Sequence, residues 1–321
     1  MKLVKKLLNK INGLHYPQEY LCFSNDSFHQ PLRAYFVEKG HVIKDITKLH
    51  SFIGYSPLLF ALSSATGIHA ANIDIAFSNE VGDSAGFSEK KAIAQLSMRK
   101  IYQRLINGNT LFIYEGIKGS HQFLSPFHQF IVQLNNNLYN HKPGNVFLEG
   151  NLYTQVQVAY SVPRKISLIT VGQNNLYNHF PTDLHGAVND QYYLISLRHE
   201  GNACSQVETA KQIAISDIHA RAFKMVYALG KNHMQPLKER NSFEFDTVLS
   251  KQFQLPLPKN LLSYKELVLV DSFAHGIHKL LLFQIIHHEQ LSAETGVLVH
   301  IHNSYATWRD KKGFESNYLL R

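Results

Sequence analysis

The chain is short of cysteine. Cys22 and Cys204 are the only two in 321 residues, too few for a disulfide scaffold, and a reducing, cytoplasmic setting is the simpler expectation. It has no uninterrupted run of 18 apolar residues, so no spanning helix is expected. Charged residues make up only 17%, which argues against a coiled coil or a charge-laced rod. Basic clusters and nucleic-acid docking motifs are missing too. The net charge of +8 is spread, +5 over residues 1–150 and +3 over 151–321, so it reads as a mild attraction for anions such as phosphorylated cofactors. No paired carboxylates and no Ser-His-Asp set stand out. What is present is a 45% hydrophobic fraction, which excludes a mostly disordered chain and suits one large domain or two ordinary ones. There are also 19 histidines, so metal or haem ligation has to be weighed.

The first residues, Met1 to Gly13, begin like a signal peptide, but Asn9, Lys10 and Asn12 break the apolar run and no small-residue cleavage site follows. Leu3, Leu7 and Ile11 share a helical face, with Val4 and Leu8 beside them. The expectation is a short amphipathic helix packed on the body, with a membrane-surface anchor as the alternative.

Residues 1–148 read as a mixed α/β domain. Leu32–Phe36 and His41–Ile46 flank Glu38-Lys39-Gly40 as a hairpin, and Leu58–Leu62 and Ile73–Phe77 are expected strands. Ser88 is an expected N-cap for a helix carrying Ile93, Leu96, Ile101 and Leu105 and ending at Gly108. Leu111–Tyr114 is a strand, with Gly116 and Gly119 punctuating its return. Asn135-Asn136-Asn137 and His141 to Asn145 form a polar break, and a boundary is placed near residue 148.

Residues 149–321 read as strand-rich. Val156, Val158 and Tyr160 alternate, Ile166–Val171 is a compact apolar run ended by Gly172-Gln173-Asn174-Asn175, and Gln191–Arg198 is strongly strand-like. Phe223–Leu229, Leu267–Ser272 and Lys279–His288 are expected strands, the last after the turn His275-Gly276-Ile277-His278. Ser205 and Glu208 have the spacing of a capping box and open a short helix through Lys211. Many strands with one short helix suggest a barrel.

Three segments combine into a chemical hypothesis. Ser196-Leu197-Arg198 ends a strand, passes through a Gly-containing loop and enters the helix. That places a hydroxyl, a guanidinium and free helix N–H groups together, which suits a phosphate. Asn178 through Asp183 supply small polar groups that suit the heteroatom rim of a planar ring. Gly276-Ile277-His278 precedes the apolar run Leu280–Ile286.

Residues 156–308 resemble the flavin reductase-like family, the FMN-binding split barrel. Ile169-Thr170-Val171-Gly172 matches its opening strand and turn, Asn178 through Asp183 its polar stretch, and Ser196, Arg198 and Ser205 its next strand and helix opening. Gly276-Ile277-His278 matches its Gly/Asp-His step. The helix-opening hydroxyl aligns at Ser205 or at Cys204, and the Pro-containing turn of the family is replaced by Val188-Asn189-Asp190-Gln191. The resemblance implies an α+β, mainly β fold with a C-terminal Greek-key split barrel, FMN or FAD as cofactor, and NADH or NADPH as hydride donor. It also raises the expectation of a homodimer, while the spread charge and short apolar runs above leave no nucleic-acid partner and no membrane span expected. Thr170, Asn178, Thr182, Asp183, Ser196, Arg198 and Ser205 would bind the cofactor, with His278 as the catalytic residue near the flavin or nicotinamide. The alternative is a non-catalytic flavin- or haem-binding module acting through partners. No metal site is expected: adjacent His287 and His288 point to opposite faces. His300 and His302 share a face, yet a satisfied pair is the simpler reading.

Overall fold

The computed structural model describes residues 11–63, 66–79, 91–139 and 146–319. The amphipathic helix expected within Met1 to Gly13 lies mostly outside the described residues, as does the expected N-cap Ser88. Two compact units divide the chain. Unit 1 holds residues 11–21, 28–163 and 301–319, and unit 2 holds 22–27 and 164–300. The expected boundary near residue 148 falls between two helices of unit 1.

Strand order along the chain begins with β1 (Tyr20–Ser24), β2 (Arg33–Glu38), β3 (His41–Asp45), β4 (His50–Tyr55), β5 (Leu58–Ser63), β6 (Asn72–Ser78), β7 (Ala94–Ile106) and β8 (Asn109–His121). Helices α1 (Pro126–Tyr139) and α2 (Leu152–Ala159) follow. Strands β2 to β8 form an antiparallel seven-stranded sheet in the order β3-β2-β6-β7-β8-β5-β4. The β2–β3 hairpin turns on Lys39 and Gly40, at φ +50° and +80°, as its turn residues require.

Three expectations in this region are corrected. The segment Ala94–Ile106 is strand β7, not helix. Ala94, Leu96 and Met98 are buried in strict alternation, but register shifts at Ser97/Met98 and Lys100/Tyr102 break the period of two, and the remaining spacing imitates a helix. Val156, Val158 and Tyr160 belong to α2 and its C-cap. Gln155 to Ala159 are all buried, so the helix shows no amphipathic stripe to read. Gly116 and Gly119 lie inside β8 because α2 crosses it closely. A Cβ at Gly119 would sit 2.9 Å from the Gln155 Cα.

Unit 2 continues with β9 (Arg164–Lys165), β10 (Ser167–Gln173), β11 (Leu176–Thr182), β12 (His185–Ala187) and β13 (Tyr192–Arg198). Then come α3 (Asn202–Ala210), β14 (Gln212–Ile218), α4 (Phe223–Ala228) and β15 (Lys238–Glu239). It ends with β16 (Phe245–Leu249), β17 (Pro256–Pro258), β18 (Leu261–His275), β19 (His278–Gln290) and β20 (Leu298–His302); α5 (Asn303–Lys311) lies in unit 1. The main sheet is antiparallel and open, in the order β12-β13-β19-β18-β14-β10-β11-β15. One face carries the core: Ile169, Val171, Phe180, Ile195, Leu197, Ile213, Ile215, Leu281 and Phe283, with Val207 of α3 packed on it. The fold is mainly β, and no sheet is closed among the described residues. Residues 223–229 are corrected from strand to α4 and the start of a 3-10 turn, Leu229–Met234. At the turn lacking proline, Asn189 Oδ1 accepts from the N–H groups of Gln191 and Tyr192, each at 2.8 Å. An Asx-type turn does the work of the missing ring.

Candidate functional site

The candidate site grows from the paired ends of β13 and β19. Their register sets Arg198 opposite His278 and Ser196 opposite Leu280. Ser196 Oγ lies 3.1 Å from His278 Nδ1, and the Ser196 N–H donates to the Leu184 carbonyl at 2.8 Å. This last bond fixes the segment after β11 against β13. His278 is fully buried. Burial first, and the nearby Arg198 cation second, push its pKa down to about 4, while Asp183 opposes them. The imidazole is therefore neutral at ordinary pH, and the Arg198 guanidinium at the strand end is exposed.

The loop after Arg198 enters α3 through Gly201. That residue is the N-cap, in extended conformation, and no side chain caps the helix. A Cβ at Gly201 would press at 3.3 Å on the carbonyls of both Arg198 and His233, so glycine lets these three backbones meet. Asn202 Nδ2 donates to the Met234 carbonyl at 2.9 Å and Gln206 Nε2 to the Gln235 carbonyl at 2.9 Å. These bonds hold the 229–234 turn on α3. His233 Nε2 is 2.7 Å from the Pro181 carbonyl. Its pKa is lowered by burial, and Arg198 and Asp183 act on it in opposite directions. Arg198, Asp183, His233 and His278 thus form one electrostatic neighbourhood.

The other sequence-derived residues fall into distinct places. Asn178 is fully buried and internally satisfied: its Nδ2 donates to Gln206 Oε1 at 2.7 Å and to the Asn232 carbonyl at 3.0 Å, and its Oδ1 accepts from the His179 N–H at 2.8 Å. It braces the wall of the site. Thr170 Oγ1 is 3.0 Å from His179 Nδ1, on the sheet face opposite the core cluster. Thr182 Oγ1 accepts from the Leu184 N–H at 3.4 Å. Asp183 Oδ2 is 2.8 Å from His300 Nε2 and 3.9 Å from Arg164 Nε.

Ser205 does not open the helix. The extended Gly201 is the N-cap, four residues before Ser205, and Ser205 Oγ donates to the Asn202 carbonyl at 2.9 Å from an exposed position. Cys204 lies in the apolar core, where burial and then Glu208 raise its thiol to about 11. His233 was not selectable from sequence, since only the folded turn brings it to Gly201. No group of three or more His, Cys, Asp or Glu that could hold a metal occurs among the described residues. His302 Nδ1 is 2.8 Å from Ser304 Oγ, while its Nε2 is buried with no hydrogen-bond partner. Likewise among the described residues, no helix is long and apolar enough to cross a membrane.

No protein-family model and no curated protein matches the sequence. Among solved structures, the chain is similar to the NADH:FAD oxidoreductase SgcE6 of Streptomyces globisporus C-1027, at 16% identity, 51% of this chain, 96% of that one and a TM-score of 0.43. It is similar to the flavin reductase PheA2, at 12% identity, 54% of this chain, all of that one and a TM-score of 0.40. It is also similar to an FMN-binding protein from Thermus thermophilus, at 14% identity, 44% of this chain, 83% of that one and a TM-score of 0.39.

Proposed function

We propose that unit 2 binds a flavin nucleotide, FMN by preference, with its phosphate at Arg198 and the first turn of α3. The observation that carries this reading is the exposed Arg198 guanidinium beside a helix start on Gly201 that no side chain caps. A guanidinium gives bidentate contact to a phosphate, and helix-start amides aim partial positive charge at the same place. The residues present fit such a group: Arg198 is exposed at the end of its strand, and no side-chain cap occupies the start of α3.

Around that anchor the chain's groups have separable tasks. Arg198 binds the phosphate. Asn178 and Asn202 hold the turn and α3 in register. Ser196 sets the ring of His278, which presents a neutral imidazole rather than a second cation. Thr182 and Asp183 supply the polar rim beside it. A bound flavin supplies two-electron redox chemistry, and NADH or NADPH is the donor we propose. The open antiparallel sheet of unit 2 would then be a split-barrel variant.

Arg198→Ala is the direct test. Loss of a charge-assisted contact of about 1.5–3 kcal/mol should weaken FMN binding about 10- to 100-fold, read by quenching of flavin fluorescence. Because Arg198 is exposed, the unfolding midpoint should stay where it was. Unchanged FMN affinity would remove Arg198 from the site.

A further inference from the structure

A second opening lies on the sheet face away from the core cluster. It is a cavity of about 400 Å³ lined by residues of β11, α4, the 229–234 turn, β15 and the loop before β16. That volume falls within the usual range for small-molecule sites. Leu229, Lys231 and Asn232 line it, whereas His233 and Met234 of the same turn reach Gly201. The cavity is thus separate from the phosphate site, on another side of the turn.

Its chemistry is graded. Met225, Leu229 and Phe243 give apolar walls. His179 also lines it; the ring is 3% exposed and lies 6.3 Å from Phe243 at 81° and 5.0 Å from Phe245. Its Nδ1 is taken by Thr170, and its Nε2 is buried with no hydrogen-bond partner. A buried polar atom left unmatched is costly and needs an explanation. Burial lowers the His179 pKa to about 4, so the ring offers a neutral hydrogen-bonding nitrogen. Lys231, Lys238 and Glu244 line the same cavity, with Lys231 exposed. The balance is one positive charge, among aromatic and aliphatic surface.

We infer that this cavity is a binding site for a small aromatic carboxylate that carries a second oxygen substituent. The carboxylate meets Lys231 and Lys238, the ring lies against Phe243, Met225 and Leu229, and the second oxygen meets His179 Nε2. An anion is favoured because the cation excess is local, and a flat ring because the walls are apolar with an aromatic face.

The test titrates the full chain with fluorescent 6-hydroxy-2-naphthoate, with 2-naphthoate, and with the neutral 2-naphthalenemethanol. Expected is saturable binding strongest for the hydroxylated acid, at least threefold weaker without the hydroxyl and at least tenfold weaker for the neutral alcohol. The K231Q/K238Q double variant, with folding checked by its melting temperature, should weaken the acids at least tenfold and leave the alcohol unchanged. Ala228→Trp, at another lining residue, should abolish binding of all three. No saturable binding, equal affinity for acid and alcohol, or acids that bind the double variant as they bind the native chain would each overturn the assignment. FMN affinity, measured in parallel, reports separately on the Arg198 site.

Discussion

Acidification from pH 7 to 5 is expected to lower the stability of this protein steeply, well before its carboxylates titrate. Four histidines are held far below their usual value of 6.5: His121, His179 and His278 at about 4, and His185 at about 3, in each case chiefly by burial. In the unfolded chain they take up protons near 6.5; in the native state they stay neutral until the pH is much lower. The unfolded state therefore binds more protons between these limits, so stability is fully present above about 6.5 and is lost as the pH falls toward 4. Each histidine depressed to about 4 contributes about 3 kcal/mol over that range. Near pH 5 nearly four protons separate the states, a slope of about 5 kcal/mol per pH unit. From pH 7 to 4.5 the loss sums to about 10 kcal/mol, enough to exhaust a fold in the middle of the usual range of about 5–15 kcal/mol. Asp217 acts with the same sign at lower pH: held down to about 2 by Lys165, against its burial, it adds stability that is lost between about 4 and 2. Thermal melts from pH 8 to 4.5 check this. His185→Gln should flatten the slope by one proton, about 1.4 kcal/mol per pH unit. A melting temperature that stays level from pH 7 to 5 would refute the assignment of these rings as buried and neutral.

Replacement of Arg309 should cost nearly as much. In unit 1 its side chain is 0% exposed. The guanidinium lies 3.9 Å from the Phe28 ring and 4.9 Å from the Phe314 ring. It donates to the His29 carbonyl at 2.7 Å and the Gln30 carbonyl at 3.1 Å. One flat cation thus satisfies two carbonyls while its faces stack on aromatic rings. Arg309→Ala leaves both carbonyls unmatched and opens a cavity, and should lower stability by about 3–5 kcal/mol. Arg309→Lys should recover less than half of this, since an ammonium cannot stack and reach both oxygens. Urea unfolding with an unchanged m-value would report the loss as a midpoint shift. A Lys variant as stable as the native chain would show that charge alone matters there.

The first of these results also accounts for four of the 19 histidines that composition leaves unexplained. Buried neutral imidazoles here are hydrogen-bonding core residues: His121 to Gln157, His179 to Thr170, His185 to Tyr193 and His278 to Ser196. Sequence reading succeeded where turn chemistry is local. The Lys39-Gly40 hairpin, the Asn174-Asn175 turn at φ +52° and +61°, and the His275–His278 turn on Gly276 at φ +58° are all where those residues put them. It failed where tertiary packing hides the period. Bulges disguised β7 as a helix, and burial on all sides disguised α2 as a strand. In the site, Ser196, Arg198 and His278 were picked out by the family resemblance, and the register that sets β13 beside β19 was not legible. Nor was the helix start, because a capping-box spacing at Ser205 competes with a glycine whose extended conformation sequence alone does not reveal. Gly201 and His233 meet only through a turn more than thirty residues downstream.

The central claim is that a flavin nucleotide is held by its phosphate at Arg198 and α3. Comparing FMN with riboflavin on the unmodified chain isolates that phosphate, since the ring systems are identical. The expected result is at least tenfold tighter binding of FMN, with the preference shrinking as salt is raised. Equal affinity for the two, or no binding of FMN, would contradict the account.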